Sequence, residues 1–186
     1  MSHEIEVKLK LGIQALEQAG IALELMTPRH FEDNWLLDTA TCQLGTKSSV
    51  LRVRSANGKG VLTYKEKAGN DAPSSQFKLR VELETELESP PEALAIFDRL
   101  GFHRFFRYQK YRSIYEATLP SQNHLHVMAD ETPIGNFLEL EGEEEAIAEA
   151  VSLLGLTPAD YILESYITLQ LRHCQQQGKP LEDMVF

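Results

Sequence analysis

The chain has 186 residues, 42% hydrophobic and 25% charged, the proportions of a globular protein able to bury one substantial core. Eighteen Lys and Arg against 28 Asp and Glu leave a net charge of −10, which argues against nucleic acid or an anionic membrane as the main partner but leaves room for a locally basic pocket. Only two cysteines (Cys42 and Cys174, without CxxC spacing), no apolar run of the ~20 residues that span a bilayer, and a charged start, MSHEIEVK, argue against a disulfide scaffold, a zinc site, a membrane anchor and a signal peptide; a cytoplasmic protein is expected.

Residues 4–10 (EIEVKLK) alternate strictly, with Glu4, Glu6, Lys8 and Lys10 on one face and Ile5, Val7 and Leu9 on the other, the period of a half-buried strand. Apolar residues at helical spacing predict a helix over 13–25 despite Gly20. WLLDT (35–39) is a short strand candidate carrying Asp38 and Thr39. VLRVR (50–54) aligns Arg52 with Arg54, Asn57-Gly58 and Gly60 supply a hairpin turn, and LTYKEK (62–67) aligns Thr63, Lys65 and Lys67. Residues 69–75 read as a flexible loop, and FKLRVELETEL (77–87) sets Arg80, Glu82 and Glu84 opposite Leu79, Val81 and Leu83. Ser89 before Pro90 and Pro91 opens a helix over 89–100 that stops at Gly101. QKYRSIY (109–115) aligns Lys110 with Arg112, HLHVMAD (124–130) ends on Asp130, and FLELE (137–141) aligns Glu139 with Glu141. A helix over 143–154 stops at Gly155, and Thr157-Pro158 opens the last one, reaching about Gln177. Without repeats or a linker, the pattern predicts one domain over 1–172 and a tail over 173–186, in an α+β fold of about eight antiparallel strands with helices outside.

Any one charged face is the ordinary solvent side of a sheet. Here, however, the charges are sorted: Glu-x-Glu, Arg-x-Arg, Lys-x-Lys and Lys-x-Arg recur strand after strand, and paired arginines favour bidentate recognition of an anion. A sheet curled into a barrel can turn these faces inward to line a wet tunnel. The cations then suit a di- or triphosphate, and the aligned carboxylates suit the hard, oxygen-ligated cations Mg2+ or Mn2+, together the equipment of phosphoryl transfer. The chain carries neither a Walker A nor a GxGxxG motif, so side chains must grip the phosphates.

The opening Glu4-Ile5-Glu6-Val7-Lys8 resembles the ExExK signature of the CYTH superfamily, the triphosphate tunnel metalloenzymes. The ordered series is more specific. Asp38-Thr39, Leu51-Arg52-Val53-Arg54, Thr63 with Lys65, Arg80-x-Glu82-x-Glu84, Lys110-x-Arg112, Asp130 and Gly135-x-x-x-Glu139-x-Glu141 fall in the family's order, from residue 3 to about 170. Leu100-Gly101-Phe102, Lys110-Tyr111-Arg112 and Ser165-Tyr166 resemble the class IV adenylyl cyclase branch in particular. The resemblance implies an eight-stranded antiparallel tunnel that binds a triphosphate and requires Mg2+ or Mn2+. By the same resemblance Glu4, Glu6, Glu139 and Glu141 would be metal ligands, supported by Asp130, Glu82 and Glu84. Lys8, Arg52, Arg54, Lys65, Arg80, Lys110 and Arg112 would hold the phosphates, with Lys8, Arg52, Lys65 and Arg112 closest to the chemistry; Lys67 joins the phosphate-binding set by its strand parity alone. Two departures stand out: Trp35-Leu36-Leu37 replaces the aromatic residues many members carry before the Asp, and a basic residue that some triphosphatases use near the C-terminus has no clear counterpart, Lys179 lying beyond the last helix.

Other candidates read differently. His124 and His126 could ligate a metal by spacing but lack a third ligand nearby, Trp35 suits a rim or core position as well as a stacking platform, and Glu143, Glu144 and Glu145 suit a helix N-terminus. Lys10, Lys67 and Lys78 share the charged parity at strand ends, and Tyr64 and Tyr111 read as core. The leading expectation is a metal-dependent hydrolase of a triphosphate; the alternatives are a class IV adenylyl cyclase and a non-catalytic polyphosphate- or nucleotide-binding module. A homodimer is compatible with a small barrel bearing exposed helices.

Overall fold

The alternation read along the chain becomes a closed wall. The computed structural model describes residues 2–67 and 78–186, the first three of them and residues 78 and 79 by backbone alone; the loop expected at 69–75 and the side chains of Glu4 and Lys78 lie outside the described residues. Eight strands, β1 (Ser2–Leu9), β2 (Ala22–Thr39), β3 (Val50–Ala56), β4 (Lys59–Lys67), β5 (Lys78–Leu87), β6 (Phe102–Thr118), β7 (His124–Thr132) and β8 (Gly135–Glu141), form a closed barrel in the order β1-β5-β4-β3-β2-β6-β7-β8. Every neighbouring pair is antiparallel, and β8 pairs back onto β1 with Glu6 opposite Glu141 and Lys8 opposite Glu139.

Because side chains alternate across each strand, the apolar parity must leave the barrel interior and find cover elsewhere. Val7, Leu9, Val127, Leu138 and Leu140 pack outward against Leu16 of α1 (Gln14–Gln18) and Ala146, Ile147, Ala150 and Val151 of α4 (Glu144–Leu153), forming the largest core cluster. Each such aliphatic side chain taken out of water contributes roughly 1.5–3 kcal/mol. Leu37, Leu51 and Val53 pack similarly beneath Leu94 and Phe97 of α3 (Pro90–Arg99). That helix starts where Ser89 accepts the Glu92 backbone N–H and the two prolines fill the first turn, and it ends at Gly101, whose φ of +88° suits glycine. A third cluster, Leu36, Phe106, Tyr108, Phe137, Tyr166 and Met184, seats α5 (Tyr166–Gln176) against the barrel.

The helix expected over 13–25 is confined to Gln14–Gln18. Gly20, at φ +74°, ends it, and residues 22–25 join β2 by pairing with Thr118 through Tyr115 of β6. Long-range pairing here overrides a local helical spacing. WLLDT is thus the end of an 18-residue strand. The continuous last helix also breaks: Pro158–Asp160 is a single 3-10 turn, Ile162 then donates its backbone N–H to Lys8 of β1, and α5 begins only at Tyr166. α5 runs across the boundary expected at 172/173, and the chain beyond it is tied down. Met184 is 1% exposed and exchanges two backbone hydrogen bonds with β6, to Gln109 and Arg107 at 2.8 and 3.0 Å, along the stretch where β6 has not yet met β7. No helix among the described residues is long and apolar enough to cross a membrane.

Candidate active site

All eight strands contribute to a cavity of about 790 Å3 inside the barrel. Its wall carries Glu6 and Lys8 from β1, Arg52 and Arg54 from β3, Thr63 and Lys65 from β4, and Arg80, Glu82 and Glu84 from β5. The circuit closes through Tyr108, Lys110 and Arg112 of β6 and Glu139 and Glu141 of β8. One flank is uncharged, built from Ser48 and Ser49 on the lip between β2 and β3 and Ser165, Ile167 and Thr168 at the start of α5. Asp38 fixes that lip, its carboxylate accepting the backbone N–H groups of Thr39, Leu44 and Gly45 at 2.7–2.9 Å.

Cations and carboxylates inside are interlocked. Lys8 Nζ lies 2.9 Å from Glu139 Oε1, and Arg112 donates to the other oxygen of Glu139. Lys65 Nζ lies 2.7 Å from Glu82, and Arg52 donates to Thr63 Oγ1 at 3.0 Å and to Glu84 at 3.3 Å, while Thr63 donates to Glu84 at 2.6 Å. Burial alone would raise the Glu139 carboxyl, but Lys8, Arg112 and Lys110 outweigh it and hold it well below the usual carboxylate range. Two tyrosines are driven apart. Burial would raise both, yet Arg52, Lys110 and Arg54 pull the Tyr108 phenol below its ordinary value, whereas Asp130 and Glu139 add to burial and push Tyr166 well above it. The Arg54 guanidinium is held below its ordinary value, by burial first and by Arg52 second. Arg52 Nε is a buried donor with no hydrogen-bond partner, at a cost of about 1–3 kcal/mol.

The structure brings together Glu6, Lys8, Arg52, Arg54, Lys65, Arg80, Glu82, Glu84, Lys110, Arg112, Glu139 and Glu141 of the sequence candidates around this one cavity. Asp130 shares the inward parity but does not line it. Its buried carboxylate takes a bidentate pair from Arg112 at 2.6 and 2.7 Å, Lys110 at 2.9 Å and the Tyr166 hydroxyl at 2.6 Å, so its place is behind the cations. Lys67 is exposed at the end of β4, away from the cavity, and Lys10 is exposed at the end of β1. Glu4 is placed by backbone only, opposite Arg80. His124 and His126 face Glu116 at 3.5 and 2.9 Å near the far end of β7, and Trp35 lies on the outer side with Arg107 5.4 Å from its ring. Tyr64 and Tyr111, read as core, are only half-buried. The Tyr64 hydroxyl donates to Glu66, and Tyr111 makes tilted ring contacts with Phe31 and Phe186 beneath Arg29.

Three residues of the interior escaped the sequence reading, and Tyr166 entered it only by resemblance. Tyr108 continues the Lys110 and Arg112 parity two residues upstream, and Glu32 and Asn34 share the Asp38 parity of β2, hidden because Asp33 between them breaks the alternation. Tyr166 enters from a helix, so no strand period marks it; its ring lies 4.8 Å from Lys8 Nζ and 5.3 Å from Lys110 Nζ.

Among the described residues no three His, Cys, Asp or Glu side chains stand grouped as a ready metal site. The donor chemistry nevertheless fits a hard cation: Glu6 and Glu141 lie directly opposite one another on β1 and β8, both on the cavity, and offer the carboxylate oxygens that such an ion takes.

A model of the CYTH domain matches residues 2–165. The chain belongs to the CYTH domain family. A Bacillus subtilis (strain 168) relative named "Putative triphosphatase YjbK" is 42% identical over 71 residues; the match spans 37% of each chain, so the chain covers well under two thirds of that relative. Among solved structures, PH1819 from Pyrococcus horikoshii OT3 superimposes with a TM-score of 0.68 and 26% identity over 91% of this chain and 99% of that one. HpAC1 from Hippeastrum, described as a "Putative adenylyl cyclase" with a dominant triphosphatase activity, gives 0.60 and 21% over 98% and 99%. The structural likenesses show that the fold is shared over nearly the whole chain.

Proposed function

We propose that this CYTH domain is a metal-dependent hydrolase of a triphosphate, inorganic or organic. The observation that carries the reading is the interior lining, where Lys8, Arg52, Arg54, Lys65, Arg80, Lys110 and Arg112 converge from five strands on one cavity, interleaved with carboxylates. A chain of phosphates is the ligand that can engage so many cations at once. Its arrival exchanges partners: phosphate oxygens take Lys8, Lys65 and Arg52, which frees Glu139, Glu82 and Glu84 for other work. Glu6, Glu141 and Glu139, with Glu4, are the residues that would hold Mg2+ or Mn2+; when bound, such an ion polarises a phosphoryl oxygen and lowers the pKa of coordinated water. Arg52, with its unpartnered Nε–H, and Arg112 stabilise charge growing on the departing phosphate, and Lys8 and Lys65 orient the chain for in-line attack. The work is assigned to the cytoplasm, with a small-molecule substrate.

Purified protein incubated with tripolyphosphate or ATP and Mg2+ or Mn2+ should release orthophosphate or pyrophosphate, and chelation should abolish release without unfolding the barrel. Cyclic AMP as the product from ATP would replace this reading with a cyclase, and tight binding without turnover would leave a binding module. Glu4→Gln combined with Glu6→Gln should lower metal-dependent turnover by at least about 100-fold, in line with loss of ligands or their supports, while the circular dichroism spectrum is retained.

A further inference from the structure

Beneath the cationic wall lies a carboxylate that the hydrolase reading does not use. Glu32 projects from β2 on the inward parity, is 2% exposed and does not line the cavity. Its Oε1 lies 3.2 Å from Arg54 Nη1 and 3.5 Å from His30 Nε2, its Oε2 lies 3.5 Å from Lys110 Nζ, and that second oxygen accepts no hydrogen bond. Asn34, the next inward residue, accepts from Arg54 Nε at 3.0 Å and donates to the Tyr108 carbonyl at 3.4 Å. β2 therefore holds the Arg54 head from two sides.

Glu32 differs from the other carboxylates of the interior. Glu82, Glu84 and Glu139 share the cavity with the cations they pair, so an incoming phosphate can displace them. Glu32 is sealed behind Arg54 and Lys110 and cannot leave them for solvent or a cation in the cavity. Its negative charge persists when the anion is bound. The direction of its acidity agrees: burial would raise the carboxyl, but Lys110, Arg112 and Arg54 hold it ionised well below the usual range. It also opposes the burial and the Arg52 repulsion that weaken the charge on Arg54.

Building on the triphosphate reading of the cavity, we infer that Glu32 is a fixed counter-ion and positioning residue of the phosphate clamp: it keeps Arg54 and Lys110 in place while the cavity holds no anion, and it loosens the anion once bound. At an effective dielectric of ~20, a permanent unit charge lying ~10 Å from another changes affinity by about tenfold. Its presence limits how tightly substrate and product are held and so favours release.

The test is a double-mutant cycle on Glu32 and Arg54, read by calorimetric affinity for a methylene-bridged tripolyphosphate analogue with Mg2+. Glu32→Gln should bind about tenfold tighter than wild type, with a steeper salt dependence and a lower melting temperature without ligand. Glu32→Asp, which keeps the charge, should bind within about threefold of wild type. Arg54→Gln should bind more than tenfold weaker, and the double variant, its charge balance restored, should recover most of that loss. A structural role alone predicts the opposite sign, so a folded Glu32→Gln that binds equally or more weakly overturns the inference. If that variant does not fold, a double variant no tighter than Arg54→Gln overturns it as well. Wild type that fails to bind the analogue at all overturns the triphosphate reading and this inference with it.

Discussion

At the residue scale, the decisive property of the interior is that buried charges such as Lys8, Lys110, Arg112 and Glu139 are held by neighbours of opposite sign. Glu139 is the clearest case, since Lys8 and Arg112 both lean on it. Its folded pKa is depressed, so its stabilising contribution is present above the ordinary carboxylate pKa and disappears as pH falls through the depressed folded value. Denaturant titrations from pH 7 into the acid range should show wild type losing stability on that limb. Glu139→Gln should start about 3 kcal/mol less stable at pH 7, because buried Lys8 loses its ion-pair partner and Arg112 one of its two, and should show a flatter acid limb. An unchanged acid limb would refute the assignment. His30 has the opposite sign. Its pairing with Glu32 raises its pKa, so what it contributes is present in acid and lost as pH rises through the folded value.

At the element scale, strands and helices aim these residues through a few close contacts. Gly60 in β4 sits where an added Cβ would lie 2.6 Å from Pro90 Cγ and 2.7 Å from the Leu87 carbonyl, an approach that β5 and the start of α3 cannot relieve without backbone movement. Gly60→Ala should cost about 1–3 kcal/mol of stability in urea titration. At the other side, the segment after α5 serves β6. Gln170 reaches the Glu182 carbonyl at 3.2 Å, Asp183 accepts the Arg107 N–H at 2.8 Å, and Met184 packs with Leu36, Tyr108 and Tyr166. Met184→Ala should cost about 3 kcal/mol by the cavity it leaves, and because Tyr108 and Tyr166 lose a shared neighbour it should also raise KM. A variant as stable as wild type would show that the segment is not anchored there.

At the scale of the whole molecule, a net charge of −10 coexists with a cavity built to attract anions. The acidic excess lies mainly outside, where water and salt screen it from the clamp beyond about a Debye length, while the low-dielectric barrel strengthens the field of the cations that line the cavity. Ligand binding must then report as stability. A metal-loaded triphosphate analogue at about 100 times its Kd should stabilise the fold by about 2.7 kcal/mol, raising Tm by roughly 5–10 °C for a chain of this size. The same concentration of sulfate should raise it far less, since one tetrahedral anion cannot reach cations spread over five strands. Equal shifts for the two would contradict a site built for a phosphate chain.

Much of this was legible in the sequence because a strand has a side-chain period of two. That period sorted Glu6 and Lys8, Arg52 and Arg54, Lys110 and Arg112, and Glu139 and Glu141 onto common faces, and sorted Val7, Leu9, Leu138 and Leu140 onto the faces that seek helices. Closure of the sheet depends on pairings between distant segments, and only the tertiary structure decided those. It turned residues 22–25 from an expected helix into strand, put Asp130 behind the clamp, left Lys67 outside it, and carried Tyr166 into the interior from a helix. It also disclosed Glu32, whose neighbours Arg54 and Lys110 lie 22 and 78 residues away along the chain. Alternation is a local property of one strand, whereas the partner of a buried charge is chosen by how strands far apart in sequence meet.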